Sequence, residues 1–193
     1  MNKRRFLSIR TMMVAAMLFV VGGLMAQTTF RKGALYGVYP ATDGRLALEL
    51  DGAALKFKSL DAADAGQYWT VTDLSGSVRI INPFTNQALR ADGNKVGVGE
   101  NNGSDEAQLW KVEVVNRQQT TDNGQQGGDN CELSIVNCQL LLVPANRPEV
   151  AMCREANGTL SLIPVAEART KNAAAFRIDE TPEYGFDADG TYR

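Results

Sequence analysis

Three stretches of this 193-residue chain share one skeleton, and each closes on a large aromatic side chain. The first runs from Tyr39-Pro40-Ala41-Thr42 through Leu48-Glu49-Leu50-Asp51-Gly52 to Gln67-Tyr68-Trp69. The second runs from Asn82-Pro83-Phe84-Thr85 through Leu89-Arg90-Ala91-Asp92-Gly93 to Gln108-Leu109-Trp110. The third runs from Val143-Pro144-Ala145-Asn146 through Arg154-Glu155-Ala156-Asn157-Gly158 to Ala174-Ala175-Phe176. From turn glycine to closing aromatic the spacing is 17, 17 and 18 residues. A repeat of this length is one supersecondary unit that needs its neighbours to bury its apolar face. The three are therefore expected to fold as a single body.

Each repeat reads as four short strands. In the second, Ser77–Asn82, Gln87–Ala91, Lys95–Val98 and Leu109–Val115 carry β-branched, aromatic and other apolar residues. Between them, Pro83 to Asn86, Asp92-Gly93 and Asn101 to Ser104 carry turn chemistry. Ala54-Leu55-Lys56-Phe57-Lys58 alternates with the period of a strand buried on one face. Ser75-Gly76 makes a tight joint between the first two repeats. The next joint is stretched by residues 117–130, a run of Arg, Gln, Thr, Asn, Asp and Gly with no apolar residue, read as a surface insertion. Helical turns are expected only within Ala62–Ala65 and Val165–Ala175.

Residues 1–26 have the pattern of a secretory signal: Lys3, Arg4, Arg5 and Arg10, then the uncharged stretch Met12 to Leu24, then Ala26 before a cut at Gln27. The apolar run is shorter than the roughly 20 residues a membrane anchor needs, so no span is expected after cleavage, and the chain is expected to be exported, secreted or periplasmic. The organisation is then signal 1–26, one domain 27–180 with repeats at about 34–74, 75–116 and 131–180, and a tail 181–193. Removing the signal leaves 167 residues and lowers the basic count from 20 to 16 against 22 acids, a net charge of −6. That balance, with no basic stripe, argues against nucleic acid as a partner. Cys131, Cys138 and Cys153 permit one internal disulfide at most, and the sequence does not say which pair closes. Counted from the turn glycine, Cys153 falls with Ala47 and Ala88, and it reads as a small buried side chain.

Chemistry is excluded more readily than assigned. With no histidine, Ser-His-Asp and Cys-His mechanisms and the commonest zinc ligand are absent. No Gly-rich phosphate loop or Cys-x-x-Cys occurs, and the carboxylates Asp61, Asp64, Asp105 and Glu106 read as loop acids rather than a catalytic pair. Asp187-Ala188-Asp189-Gly190 opens like a calcium loop but lacks the later ligands. No enzyme activity, metal or cofactor is expected.

Three four-stranded repeats closing on Gln-x-Trp resemble the ricin B-type β-trefoil family, an all-β fold of a six-stranded barrel capped by three hairpins. The resemblance covers about residues 34–178. Gln67-Tyr68-Trp69 and Gln108-Leu109-Trp110 carry the motif intact, while Ala174 and Phe176 replace its polar and aromatic members in the third repeat. A Gln at the first mature position is also similar to exported proteins of the Bacteroidota. In this reading Gln67, Trp69, Gln108, Trp110 and Phe176 are scaffold, the aromatics as wedges at the barrel axis and the amides as partners for buried backbone. The resemblance implies a glycan as partner, recognised by an acidic residue three before the turn glycine, a nearby amide and an aromatic face. The acidic position holds Glu49, Arg90 and Glu155, none of them the family's Asp. Glu49, Phe84, Asn101, Asn102 and Glu155 are the candidate sugar contacts. For Phe84 the alternative is packing on its own repeat, and for the asparagines turn formation. The other functional readings are a trefoil that binds a host or secreted protein, such as a protease inhibitor, and a trefoil whose sugar sites are degenerate. An open pocket around Glu49 would favour sugar binding, and occlusion or an ion pair with a neighbour such as Arg45 or Lys56 would count against it.

Overall fold

A computed structural model of the chain describes residues 30–117 and 138–181. The signal segment, most of the insertion after the second repeat, Cys131 and almost all of the tail lie outside these residues. The described residues form twelve strands, four per repeat: β1 (Tyr36–Pro40), β2 (Leu46–Asp51), β3 (Ala54–Ser59) and β4 (Thr70–Asp73) in the first, β5 (Val78–Asn82), β6 (Gln87–Asp92), β7 (Lys95–Glu100) and β8 (Trp110–Arg117) in the second, and β9 (Cys138–Pro144), β10 (Val150–Arg154), β11 (Leu160–Pro164) and β12 (Phe176–Glu180) in the third. A single turn of 3₁₀ helix precedes each closing aromatic, at Ala65–Gln67, Glu106–Gln108 and Asn172–Ala174. One short helix, α1 (Val165–Ala168), is added in the third repeat. Three of these helical turns fall within or beside the two expected stretches; the one at Glu106–Gln108 was not expected and follows from the repeat, in which Asp105 caps the turn as Asp64 does.

Six strands close a ring. Neighbouring repeats are joined by the antiparallel pairs β4–β5, β8–β9 and β12–β1. Within each repeat the first strand meets the closing aromatic, at Tyr36↔Trp69, Val78↔Trp110 and Leu140↔Phe176. Trp69, Trp110 and Phe176 are all fully buried in one core cluster with Val38, Leu48, Ile80, Leu89, Leu142, Met152 and Ile178. The two indole N–H groups donate to equivalent carbonyls, Trp69 to Leu48 O and Trp110 to Leu89 O, both at 3.1 Å. Phe176 has no such donor and instead stacks on Phe57, rings 5.8 Å apart and 7° from parallel.

The remaining strands form the hairpins β2–β3, β6–β7 and β10–β11. They meet edge to edge: the Phe57 N–H donates to Gly158 O and the Leu162 N–H to Asn94 O, both at 2.8 Å. A six-stranded ring, three capping hairpins and threefold-equivalent aromatics define a β-trefoil.

The joints between repeats show how the sequence enforces the symmetry. Where β1 ends, the Ala41 N–H donates to Ala175 O, and where β9 ends, the Ala145 N–H donates to Leu109 O. The equivalent acceptor, the residue before the closing aromatic of the first repeat, is Tyr68 O, but the residue at the place of Ala41 is Pro83, which has no N–H. Asn82 supplies the missing donor. Its Nδ2 donates to Tyr68 O and Ala65 O, both at 3.1 Å, while its Oδ1 accepts from the N–H groups of Phe84 and Thr85 and from Thr85 Oγ1. This explains a completely buried asparagine in an apolar ring.

The hairpin turns are not equivalent throughout. Asp51↔Ala54 and Asp92↔Lys95 enclose two residues, with Gly52 (φ 61°) and Gly93 (φ 56°) first in the turn. In the third repeat the Glu155 N–H donates to Thr159 O across a three-residue turn, with Gly158 (φ 83°) last. Counting back from the glycine therefore misaligns the third repeat by two residues. The correct equivalents of Ala47 and Ala88 are Ala151, and those of Glu49 and Arg90 are Cys153; Glu155 corresponds to Asp51 and Asp92. The uninterrupted match of Pro40–Leu50 with Pro144–Arg154 carries the same register, as do the paired turn bonds Asp43 N–H to Pro40 O and Arg147 N–H to Pro144 O.

Candidate functional site

The position three residues before the turn glycine in the first two repeats lies on the outer face of a cap hairpin, beside the closing Gln. Each repeat fills it differently. In the first, Glu49 is 6% exposed. Its Oε1 lies 2.5 Å from Lys58 Nζ and its Oε2 accepts from Gln67 Nε2 at 3.1 Å. Lys58, the diagonal neighbour across β2–β3, also reaches Asp51 at 3.3 Å. The 3₁₀ turn lies directly over β2: a Cβ on Gly66 would stand 2.4 Å from Leu50 O and 3.3 Å from Glu49 Cγ. Burial pushes the Glu49 carboxyl up, but hydrogen bonds with Lys58, Gln67 and Asp64 outweigh it and hold the group below its ordinary range. Asp64 moves the other way, raised by burial and by facing Glu49, against the lowering effect of the Gly66 N–H on its side chain. Glu49 is thus occluded and ion-paired, with Lys58 rather than Arg45 or Lys56 as partner.

The third repeat fills the same position with apolar packing. Cys153 replaces Glu49, Ala174 replaces Gln67, and Ile163 stands where Lys58 stands. With Leu141, Val143, Ala151 and Ala168 of helix α1 they form a second small apolar cluster. Burial pushes the Cys153 thiol up, so it is a packing group with little thiolate character. The side chain of Cys138 is not among those described.

The second repeat leaves the position open. Arg90 replaces Glu49, and glycines stand where the first repeat has Lys56 and Lys58: Gly97 faces Arg90 and Gly99 faces Ala88. A Cβ on Gly97 would meet nothing within 4 Å, whereas one on Gly99 would stand 3.1 Å from Arg90 Cδ. The arginine stem therefore lies along Gly99 in the space that Lys58 takes in the first repeat. Its side chain is 39% exposed, its nearest carboxylate oxygen is Asp105 Oδ2 at 3.9 Å from Nε, and Nε is buried without a hydrogen bond. Asp105 is itself held as the cap of the 3₁₀ turn, accepting from the Ala107 N–H at 3.0 Å. Gln108 does not touch Arg90 through a hydrogen bond; its amide spans Glu100 O at 2.7 Å and the Asn102 N–H at 3.0 Å. Gln67 spans Ser59 O and the Asp61 N–H in the same way.

The other sequence candidates fall around this repeat or in turns. Phe84 is 46% exposed on the β5–β6 turn. Asn101 Nδ2 donates to Asn86 Oδ1 at 3.2 Å, which ties the start of the β7–β8 loop to that turn. Asn102 Oδ1 accepts from the Ser104 N–H and Oγ, so it shapes its own loop. Glu155 is exposed at the third hairpin turn and accepts from Ser161 Oγ. The structure brings Phe84, Asn86 and Asn101 to one rim of the second repeat, while Glu49 and Glu155 belong to different positions of different hairpins. Sequence reasoning did not select Arg90 as a contact, because it was looking for an acid; the signal available was the pair of glycines opposite it.

No family model and no curated protein sequence matches the chain. Solved structures of the same fold do. A GlcNAcα1-4Gal-releasing endo-β-galactosidase from Clostridium perfringens superposes with a TM-score of 0.57 at 12% identity, over 77% of this chain and 33% of that one. A mosquitocidal holotoxin gives 0.56 at 14% identity, over 77% of this chain and 17% of the toxin. ThreeFoil, a designed threefold-symmetric protein, gives 0.54 at 14% identity over 76% of this chain and 99% of its own. The chain thus spans about a third of the enzyme and nearly the whole of the symmetric design. At these identities the likeness is one of fold.

Proposed function

We propose that the chain is an exported, non-catalytic, glycan-binding β-trefoil whose second repeat carries the ligand site. The observation behind this reading is the unequal treatment of three equivalent positions. One is filled by a buried glutamate ion-paired to a lysine, one by an apolar cluster, and one keeps a half-exposed arginine over a glycine floor. An exposed guanidinium with open space beside it suits hydroxyl-rich ligands better than a deep apolar pocket would. The galactosidase, which as its name says releases GlcNAcα1-4Gal, and the mosquitocidal toxin share the fold. Glu49, by contrast, would have to break its bonds to Lys58 and Gln67 to serve a sugar. The test is a glycan array probed with the purified chain from Gln27 onward, beside the same chain carrying Gly97→Leu. Binding that survives in the parent and disappears in the variant, with an unchanged melting temperature, supports the second-repeat site. Array binding that Gly97→Leu leaves intact sinks it.

A further inference from the structure

We infer that the ligand of the second repeat is an acidic sugar, recognised through its carboxylate by Arg90; this deepens the glycan reading and rests on it. Among the described residues the Arg90 guanidinium makes no hydrogen bond. Its Nε is inaccessible and unpaired, as are those of Arg79, Arg154 and Arg177, so a ligand would meet the outer Nη groups of this 39% exposed side chain. Asp105 Oδ2, at 3.9 Å, lies too far for a hydrogen bond with Nε but close enough to orient the group. The guanidinium is a planar fork whose parallel N–H groups fit a carboxylate in two-point contact. Gly97 leaves room beside it, because the space a side chain would fill there is empty.

The surroundings select one anion rather than a polyanion. On β6 and β7 the only other cation is Lys95, with Asp92 and Glu100 on the same two strands. Long sulfated chains need a stripe of Lys and Arg, and the chain beyond residue 26 carries a net −6. A single uronic or sialic acid unit presents one carboxylate on a ring that carries several hydroxyls for further hydrogen bonds. The alternative source of an oxyanion is a sulfated sugar.

Titration calorimetry of the chain from Gln27 onward decides this with five probes: glucuronate-terminated and N-acetylneuraminate-terminated oligosaccharides, their two neutral parents, and a sulfated galactose oligosaccharide. At least one carboxylated probe should bind, with its neutral parent weaker by about 10- to 100-fold, the range expected for losing charge-assisted hydrogen bonds. Arg90→Gln should erase that preference while leaving the melting temperature within a few degrees. If Arg90→Gln does not fold, Gly97→Leu, which keeps the charge and blocks the space, must abolish the same binding. Equal binding of neutral and carboxylated probes, unaffected at Arg90, overturns the acidic-sugar inference and leaves the glycan reading standing. Binding of the sulfated probe alone overturns the carboxylate. No binding of any probe here or on the array overturns both.

Discussion

Asn82→Ala offers the sharpest test of how the repeats are joined. The side chain is completely buried and takes part in five hydrogen bonds: two donated to the Ala65 and Tyr68 carbonyls and three accepted within the β5–β6 turn. Truncation leaves Tyr68 O, at the buried joint, without its donor, at about 1–3 kcal/mol. The more accessible Ala65 O and the turn N–H groups can recover water, at roughly 0.5–1 kcal/mol each. The sum, about 2.5–6 kcal/mol, is a large part of a typical total of roughly 5–15 kcal/mol. In a domain of this size it lowers the melting temperature by on the order of 10 °C. The mechanism is separable from simple cavity formation through Pro83. In the other two repeats a backbone N–H makes the joint, so Pro83→Ala restores to the second repeat the donor that proline removed. In the wild-type background that N–H is redundant, and Pro83→Ala costs about 0.4–1 kcal/mol through the unfolded state. In the Asn82→Ala background it should recover a bond, so the double variant should be less destabilised than the sum of the singles by about 1 kcal/mol. Urea unfolding of all four proteins, followed by tryptophan fluorescence, measures the coupling. A single variant within about 0.5 kcal/mol of wild type, or strictly additive singles, would refute the reasoning.

Trp110→Ala should cost about 3–5 kcal/mol, because it empties a fully buried aromatic site and orphans Leu89 O; a melting curve that does not move would remove the tryptophan from the core. Gly158→Ala should destabilise more than Gly52→Ala or Gly93→Ala. All three sit at positive φ, at about 1 kcal/mol for a side chain, but only at Gly158 would the new Cβ press on backbone, 2.9 Å from Phe57 O. Equal midpoints for the three alanine variants would contradict the hairpin contact. Asp64→Asn should raise the melting temperature near neutral pH and lose that advantage in acid. Asp64 has a raised pKa, so the stability tied to its protonated form is present below the ordinary carboxylate range and lost as pH rises through the folded value. Glu49, held low, contributes the opposite dependence, present above its ordinary range and lost as pH falls through the folded value. Asn caps a turn as well as Asp does, so the cap itself is kept. Scanning calorimetry of both proteins at pH 5 and pH 7.5 checks the sign, and a lower midpoint for the variant at pH 7.5 would reverse the argument.

The architecture was legible because its determinants are local and repeated. The closing aromatics, the turn glycines and the alternation in β3 each reflect one buried or strained position, and such positions tolerate few residue types. What sequence counting could not resolve was register in the third hairpin, since a glycine marks a left-handed residue without saying whether two or three residues make the turn. That two-residue slip put Glu155 where Cys153 stands. The partner of Glu49 was also beyond reach, because Lys56 is directly opposite and Lys58 diagonal, and only the lie of the 3₁₀ turn decides between them. Asn82 read as the end of a strand; its role at the joint appears only when the proline after it is set against the alanines of the other two joints. Arg90 was passed over for a simpler reason. A missing side chain, at Gly97 and Gly99, makes the site, and absence is hard to read in a single sequence.

The pairing of β1 with β12 also sets how this molecule would answer to force. Tyr36 lies opposite Glu180 and Pro40 opposite Phe176, so the two chain ends leave the ring from the same end of one antiparallel ladder. Tension applied through them loads five registered pairs one after another, as a zipper, instead of all together in shear. Each step breaks bonds of modest net worth, and the first gives up the ring's closure while the indole-anchored core is still intact. A trefoil closed in this way is therefore mechanically soft along the direction of its two outer strands, whatever its resistance to heat.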